Sequence, residues 1–208
     1  MAIGLTSPDV TVTDCNEIGR GKSIVIRGES PIMKTWFIEA IRRCFQVVDK
    51  PDDPYIAGFS ALSSTKNPDG SVAINIGNPN LNVGRMREIK NCSNIQESVL
   101  RHEAMEIWYK LKPGDNVTER WGWKEDTGRR GSFCHFLAMI EQYKYLIQTN
   151  SVGGFREWYH QQRLNNPDLA LALDERAHEI AVSGKTADDL MVNYDELLND
   201  FWSVYKIV

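Results

Sequence analysis

The chain has 208 residues, 42% of them hydrophobic and 25% charged, the balance of a soluble globular protein able to bury a full core. A net charge of -4 excludes the basic excess that nucleic-acid binding calls for. No run approaches the ~18 apolar residues of a membrane span, and MAIGLTSPDV lacks a basic flank leading into an apolar run, so a cytoplasmic protein with free thiols is expected.

Residues 1–22 are polar and mixed, with weak alternation at Val10-Thr11-Val12-Thr13. Gly19-Arg20-Gly21-Lys22-Ser23 invites a phosphate-loop reading, but Asn16 stands where that loop needs its first glycine. The run from Ser23 to Arg27 is strand-like rather than helical, so the stretch reads as a turn feeding a strand. Ser30-Pro31 is a helix start, and Ile32, Met33, Trp36, Phe37, Ala40, Ile41, Cys44, Phe45 and Val48 continue at helical spacing. Residues 49–54 read as a loop. Phe59 to Leu62, the turn Asn67-Pro68-Asp69-Gly70 and the alternating Ser71 to Ile76 predict a β-hairpin. Residues 81–92 are irregular.

Residues 93–112, SNIQESVLRHEAMEIWYKLK, predict one helix that Pro113-Gly114 stops. Ser93 and Gln96 have capping-box spacing, and Lys110 and Lys112 suit the negative end of the dipole. Leu100, Ala104, Ile107, Trp108 and Leu111 mark one apolar face, and Val99, Met105 and Tyr109 extend it, so the helix should be buried. His102, Glu103 and Glu106 therefore need partners, because burying bare polar groups costs several kcal/mol. His102 and Glu106 are four apart and can meet at one point, with Glu103 about 100° around the helix beside it.

His102-Glu103-Ala104-Met105-Glu106 resembles the His-Glu-x-x-His motif of zincin metallopeptidases, with glutamate replacing the second histidine. The resemblance implies that His102 is a zinc ligand and Glu103 the general base; Glu106 can serve as a ligand because carboxylates bind zinc. Another divalent metal could take the same place. The order strand, helix, hairpin, motif helix resembles the upper half of a zincin, in which an edge strand pairs with an extended peptide. Ser71 to Ile76 would be that strand, by analogy of fold alone.

Residues 113–131 read as a polar, glycine-rich loop, with Trp121 and Trp123 expected to dock back on the core. Ser132 is expected to cap a helix over 133–147. By the resemblance this helix supplies the third ligand, and His135 is the first candidate; Glu141 and His178 are the alternatives. A short helix is expected over 155–164, with His160 on the surface. Another runs from Asn165-Asn166-Pro167-Asp168 to Val182 and ends at Ser183-Gly184; Thr186 caps the last. Glu175 and His178 form an E-x-x-H pair, half of what a carboxylate-bridged di-metal bundle requires. The cysteines, Cys15, Cys44, Cys92 and Cys134, show no C-x-x-C spacing, which argues against a thiolate zinc site.

The expected fold is α+β, a single domain over 1–208. A small antiparallel or mixed sheet with a zincin-like motif helix packed on it occupies 1–112, and a helical part over 132–208 packs against it. The expected function is that of a metal-dependent hydrolase, most simply a peptidase acting on peptide or protein through zinc-activated water. A zincin-like binding module without activity and a di-metal helical protein are the alternatives. Oligomeric state stays open.

Overall fold

The computed structural model describes residues 9–15, 21–28, 33–52, 56–59, 61–84, 86, 89–111, 127–163, 168–187, 189, 199 and 201. They form an α+β protein with a small antiparallel sheet, a second short mixed sheet, and long helices. The chain divides into two compact units, residues 1–85 with 107–116, and residues 86–106 with 117–208.

The first unit holds a four-stranded antiparallel sheet in the order β1-β2-β6-β5. Its strands are β1 (Val10–Cys15), β2 (Gly21–Ile26), β5 (Ala61–Lys66) and β6 (Val72–Gly77). The weakly alternating Val10 to Thr13 thus lies in an edge strand, paired with β2 from Val10↔Ile26 to Cys15↔Gly21. Lys22 lies opposite Asp14 and bonds its carboxylate at 2.6 Å, a cross-strand charge pair. Gly21, Lys22 and Ser23 lie in β2, the expected strand, while Gly19 and Arg20, at the expected turn, lie outside the described residues.

The hairpin forms where Asn67 to Gly70 predicts it. Gly70 takes φ +81° and donates its N–H to the Asn67 carbonyl, while Asp69 accepts from the backbone and hydroxyl of Ser71. One observation overturns the zincin analogy at this point. β6 pairs with β2 on one side and β5 on the other, so Ser71 to Ile76 is an interior strand and has no free edge for a peptide. Its alternation reports one buried face, Val72, Ile74 and Ile76, set beside Ile24 and Ile26 of β2.

Helix α1 (Met33–Cys44) packs on β1 and β2 through an apolar face that includes Phe37, Ala40, Ile41 and Cys44. Its expected start at Ser30-Pro31 lies outside the described residues. The helical spacing predicts that it continues to Val48, but the helix ends at Cys44 and β3 (Gln46–Val48) follows, while the described residues 49–52 of the expected loop hold no strand. β3 belongs to a three-stranded sheet in the order β3-β7-β4, with β4 (Ala57–Gly58) and β7 (Asn80–Asn82). Buried Asn82 pins that sheet to the chain beside it: its amide donates to the Lys50 carbonyl at 2.7 Å and accepts from the N–H groups of Lys50 and Gly84.

Helix α2 (Cys92–Leu111) is the predicted motif helix; residues 92–106 belong to the second unit and 107–111 to the first. In the first unit Trp108 packs its ring 5.3 Å from that of Phe37, and Tyr109 accepts from Lys34 at 3.2 Å. The helix begins at Cys92, so Ser93 is already inside its first turn. Gln96 turns its amide to the Cys92 sulfur at 3.0 Å instead of closing a box with Ser93, and Asn91, at φ +62°, offers its carbonyl to the N–H groups of Asn94 and Ile95.

The rest of the second unit is helical: α3 (Thr127–Gln148), α4 (Val152–Arg163), α5 (Asp168–Val182) and residues of a further helix after Thr186. α3 starts six residues earlier than expected, with Ser132 inside it. Gly128 and Gly131 have poor helix propensity, which is why sequence alone reads that turn as loop. Trp121 and Trp123 lie outside the described residues. Phe133, Phe136 and Phe201 form the aromatic centre of this unit, with Phe201 5.0 Å from Phe133. Gly184, at φ +80°, ends α5 by donating to the Ala181 carbonyl. Thr186 and Asp189 close a reciprocal capping box on the next helix. No helix among the described residues is long and apolar enough to cross a membrane.

Candidate metal centre

Two turns of helix bring three ligand-type atoms to one point. α2 presents His102 and Glu106 from the same face, and α3 presents His135 opposite them, all within the second unit. His102 Nε2 stands 2.9 Å from His135 Nδ1. Glu106 Oε2 stands 3.3 Å from His102 Nε2 and 3.2 Å from His135 Nδ1. The result is a nearly equilateral triangle. Exposure rises around it, from 8% for the His102 side chain through 19% for Glu106 to 32% for His135, so the group is rooted in the helix pair and opens to solvent beside His135.

Protons alone do not satisfy such a triangle. The carboxylate oxygen only accepts, and each ring nitrogen either carries a proton or offers a lone pair. With both nitrogens protonated, two donors face each other at 2.9 Å. With one or neither protonated, two lone pairs face each other on at least one side. A cation accepting all three lone pairs removes the conflict. Zinc holds nitrogen and oxygen ligands at ~2.0–2.2 Å, which places tetrahedral ligand atoms about 3.3–3.6 Å apart. The observed separations of 2.9, 3.2 and 3.3 Å lie at or below the short end of this, so a small spreading of the side chains seats the ion, and two imidazoles with one carboxylate are a donor set of catalytic zinc sites. Burial pulls the Glu106 carboxyl upward, but hydrogen bonds and charge from His102 and His135 outweigh it and hold the group well below the usual carboxylate range. The carboxylate is thus ionised and ready to ligate.

The other candidates are placed elsewhere. Glu103 is half-buried on α2, next in sequence to His102, and is not one of the three converging atoms. Glu141 accepts the Ala187 N–H at 3.2 Å, a role at a helix start rather than at a metal. His178 lies 4.9 Å from the Tyr143 ring, and Glu175 faces Arg156; neither joins the triangle. The two thiols buried in the core, Cys44 and Cys134, take no part either, and burial pushes Cys44 up to about 12.

Sequence reading missed a second polar cluster. Asp174 is fully buried and accepts from the Tyr143 hydroxyl with both oxygens, at 2.7 and 2.8 Å. His160 keeps a side chain 39% exposed, as expected of a surface residue, but turns Nε2 inward to within 3.6 Å of the same carboxylate, and Arg156 Nε stands at 4.0 Å. The available signal was position: Asp174 lies three and seven residues before Ala177 and Ala181, on the buried stripe of α5.

Comparison of the chain with protein-family models, with curated proteins and with solved structures finds no significant match in any of the three.

Proposed function

We propose that this protein is a metal-dependent hydrolase of zincin-like chemistry, with zinc as the metal expected from the donor set. The observation that supports it is the triangle of His102, Glu106 and His135, whose mutual contacts a cation satisfies and protons do not. When bound, such a metal acts as a Lewis acid and lowers the pKa of a water towards ~7. The chain supplies the rest. His102 and Glu106, one helical turn apart, and His135 across from them form a rigid three-point grip. His135, about one-third exposed, is the side from which a substrate would approach. Glu103, adjacent to His102 on the helix, is the proposed base: its carboxylate takes the proton and returns it to the leaving group.

A peptide or protein is the substrate class implied by the motif resemblance. The interior position of β6 removes the strand that was to align it, so the five motif residues carry that part of the reading. The test is Glu103→Gln. In untagged protein it should retain metal at the wild-type level while hydrolysis of a mixed peptide library, followed by mass spectrometry, falls by about 10²-fold or more. Retained hydrolysis in Glu103→Gln rules out the proposed base.

A further inference from the structure

The three ligand side chains come from two helices, so the centre depends on the register of α2 against α3. Their side-chain contacts form an antiparallel ladder. Glu106 and His102 meet His135; Arg101 lies 4.4 Å from the Tyr145 ring; Ser98 meets Gln142; Asn94 meets Ser151, just past the end of α3. From His102 through Ser98 to Asn94, partner numbers rise from His135 through Gln142 to Ser151, and the long Arg101 side chain reaches past its own level to Tyr145. Most of these rungs are partly exposed, but Ser98 and Gln142 are both buried. Gln142 Nε2 donates to Ser98 Oγ at 3.2 Å, and Ser98 in turn donates to the Ile95 carbonyl at 2.8 Å.

Ser98 is one turn before His102, and Gln142 two turns after His135. Spacings of four and seven residues keep each on nearly the same face as its ligand. Apolar side chains of similar size tolerate sliding along a helix seam. A buried hydrogen bond does not, because any shift leaves an amide unpaired away from water, and a single buried polar residue is known to set register between helices.

We infer that Ser98 and Gln142 are positioning residues that lock the register of α2 and α3 so that His102, Glu106 and His135 converge. This rests on the metal centre proposed above. The test is titration of the full-length protein with cobalt(II), read by the ligand-field absorption of the bound ion. Wild type should bind it with the bands of a low-coordinate nitrogen and oxygen site. The double variant Ser98→Ala/Gln142→Leu removes both polar partners together, which is close to neutral for stability. It should keep its circular dichroism and melting temperature yet bind cobalt about 10- to 100-fold more weakly, with shifted bands, the usual loss when a supporting group is removed from behind metal ligands. Wild-type affinity and unchanged bands in the double variant overturn the inference and leave the centre standing. Absence of cobalt and zinc binding in wild type overturns the centre and the inference with it. Should the double variant fail to fold, Gln142→Met carries the same reading, since Ser98 keeps its bond to Ile95.

Discussion

At the scale of single residues, two carboxyl groups of the second unit, Glu106 and Asp174, behave differently. Glu106 is held ionised by two histidines. Asp174 is pulled the other way: burial raises its pKa, and the Tyr143 hydroxyl, Arg156 and His160 only partly offset that. The folded protein therefore holds the Asp174 proton more tightly than the unfolded chain does. Its contribution to stability is complete below about pH 3.9 and is lost as pH rises through the folded value. His178 runs in the opposite sense. Burial, then Arg156, lowers its pKa, so its contribution is present above about pH 6.5 and is lost as pH falls through the folded value. The stability difference between wild type and Asp174→Asn should shift in favour of Asp174→Asn between acid and neutral pH, measured as urea midpoints across that range. A difference that is flat with pH contradicts the assignment. Tyr143→Phe removes the hydroxyl that both Asp174 oxygens share. It should cost about 1.5–3 kcal/mol in urea denaturation, the range for a hydrogen bond to a charged group.

Secondary-structure elements were legible where the pattern was long and periodic. α1, the motif helix and α5 follow their apolar spacing, and the β5–β6 hairpin follows its turn residues. Legibility failed where tertiary context decides. The alternation of β6 shows one buried face but is silent on how many neighbours the strand has, so an interior strand was read as an edge. Strands of two or three residues, such as β4 and β7, are too short to show a period. They are held by Asn82 and by a close approach of chain at Gly84 that only coordinates reveal. A Cβ at Gly84 would stand 2.7 Å from Pro51 N and 2.8 Å from Lys50 C, both backbone atoms that cannot swing aside. Gly84→Ala should therefore lower stability by about 1–3 kcal/mol, read from thermal or urea unfolding, and a neutral result would mean that this approach is not tight in solution. Of the candidate centre, the His102–Glu106 pair could be read from its spacing. His135 could only be ranked among alternatives, because sequence does not say which face of α3 meets α2.

At the scale of the whole molecule, the chain forms two compact units, and the candidate centre belongs to one of them. A metal bound there ties α2 to α3, so it should stabilise the second unit by mass action, by about 2.7 kcal/mol at a free concentration one hundred times Kd. The effect should appear as a rise in the melting temperature of zinc-loaded over chelator-treated protein, and it should vanish in His135→Ala. The measurement that bears most directly on all of this is calorimetric titration of zinc into metal-stripped, untagged protein, beside His102→Ala and Glu106→Ala. The triangle predicts saturation near one equivalent for wild type and loss of that binding in both variants. No binding by wild type, or equal binding by all three proteins, would contradict it.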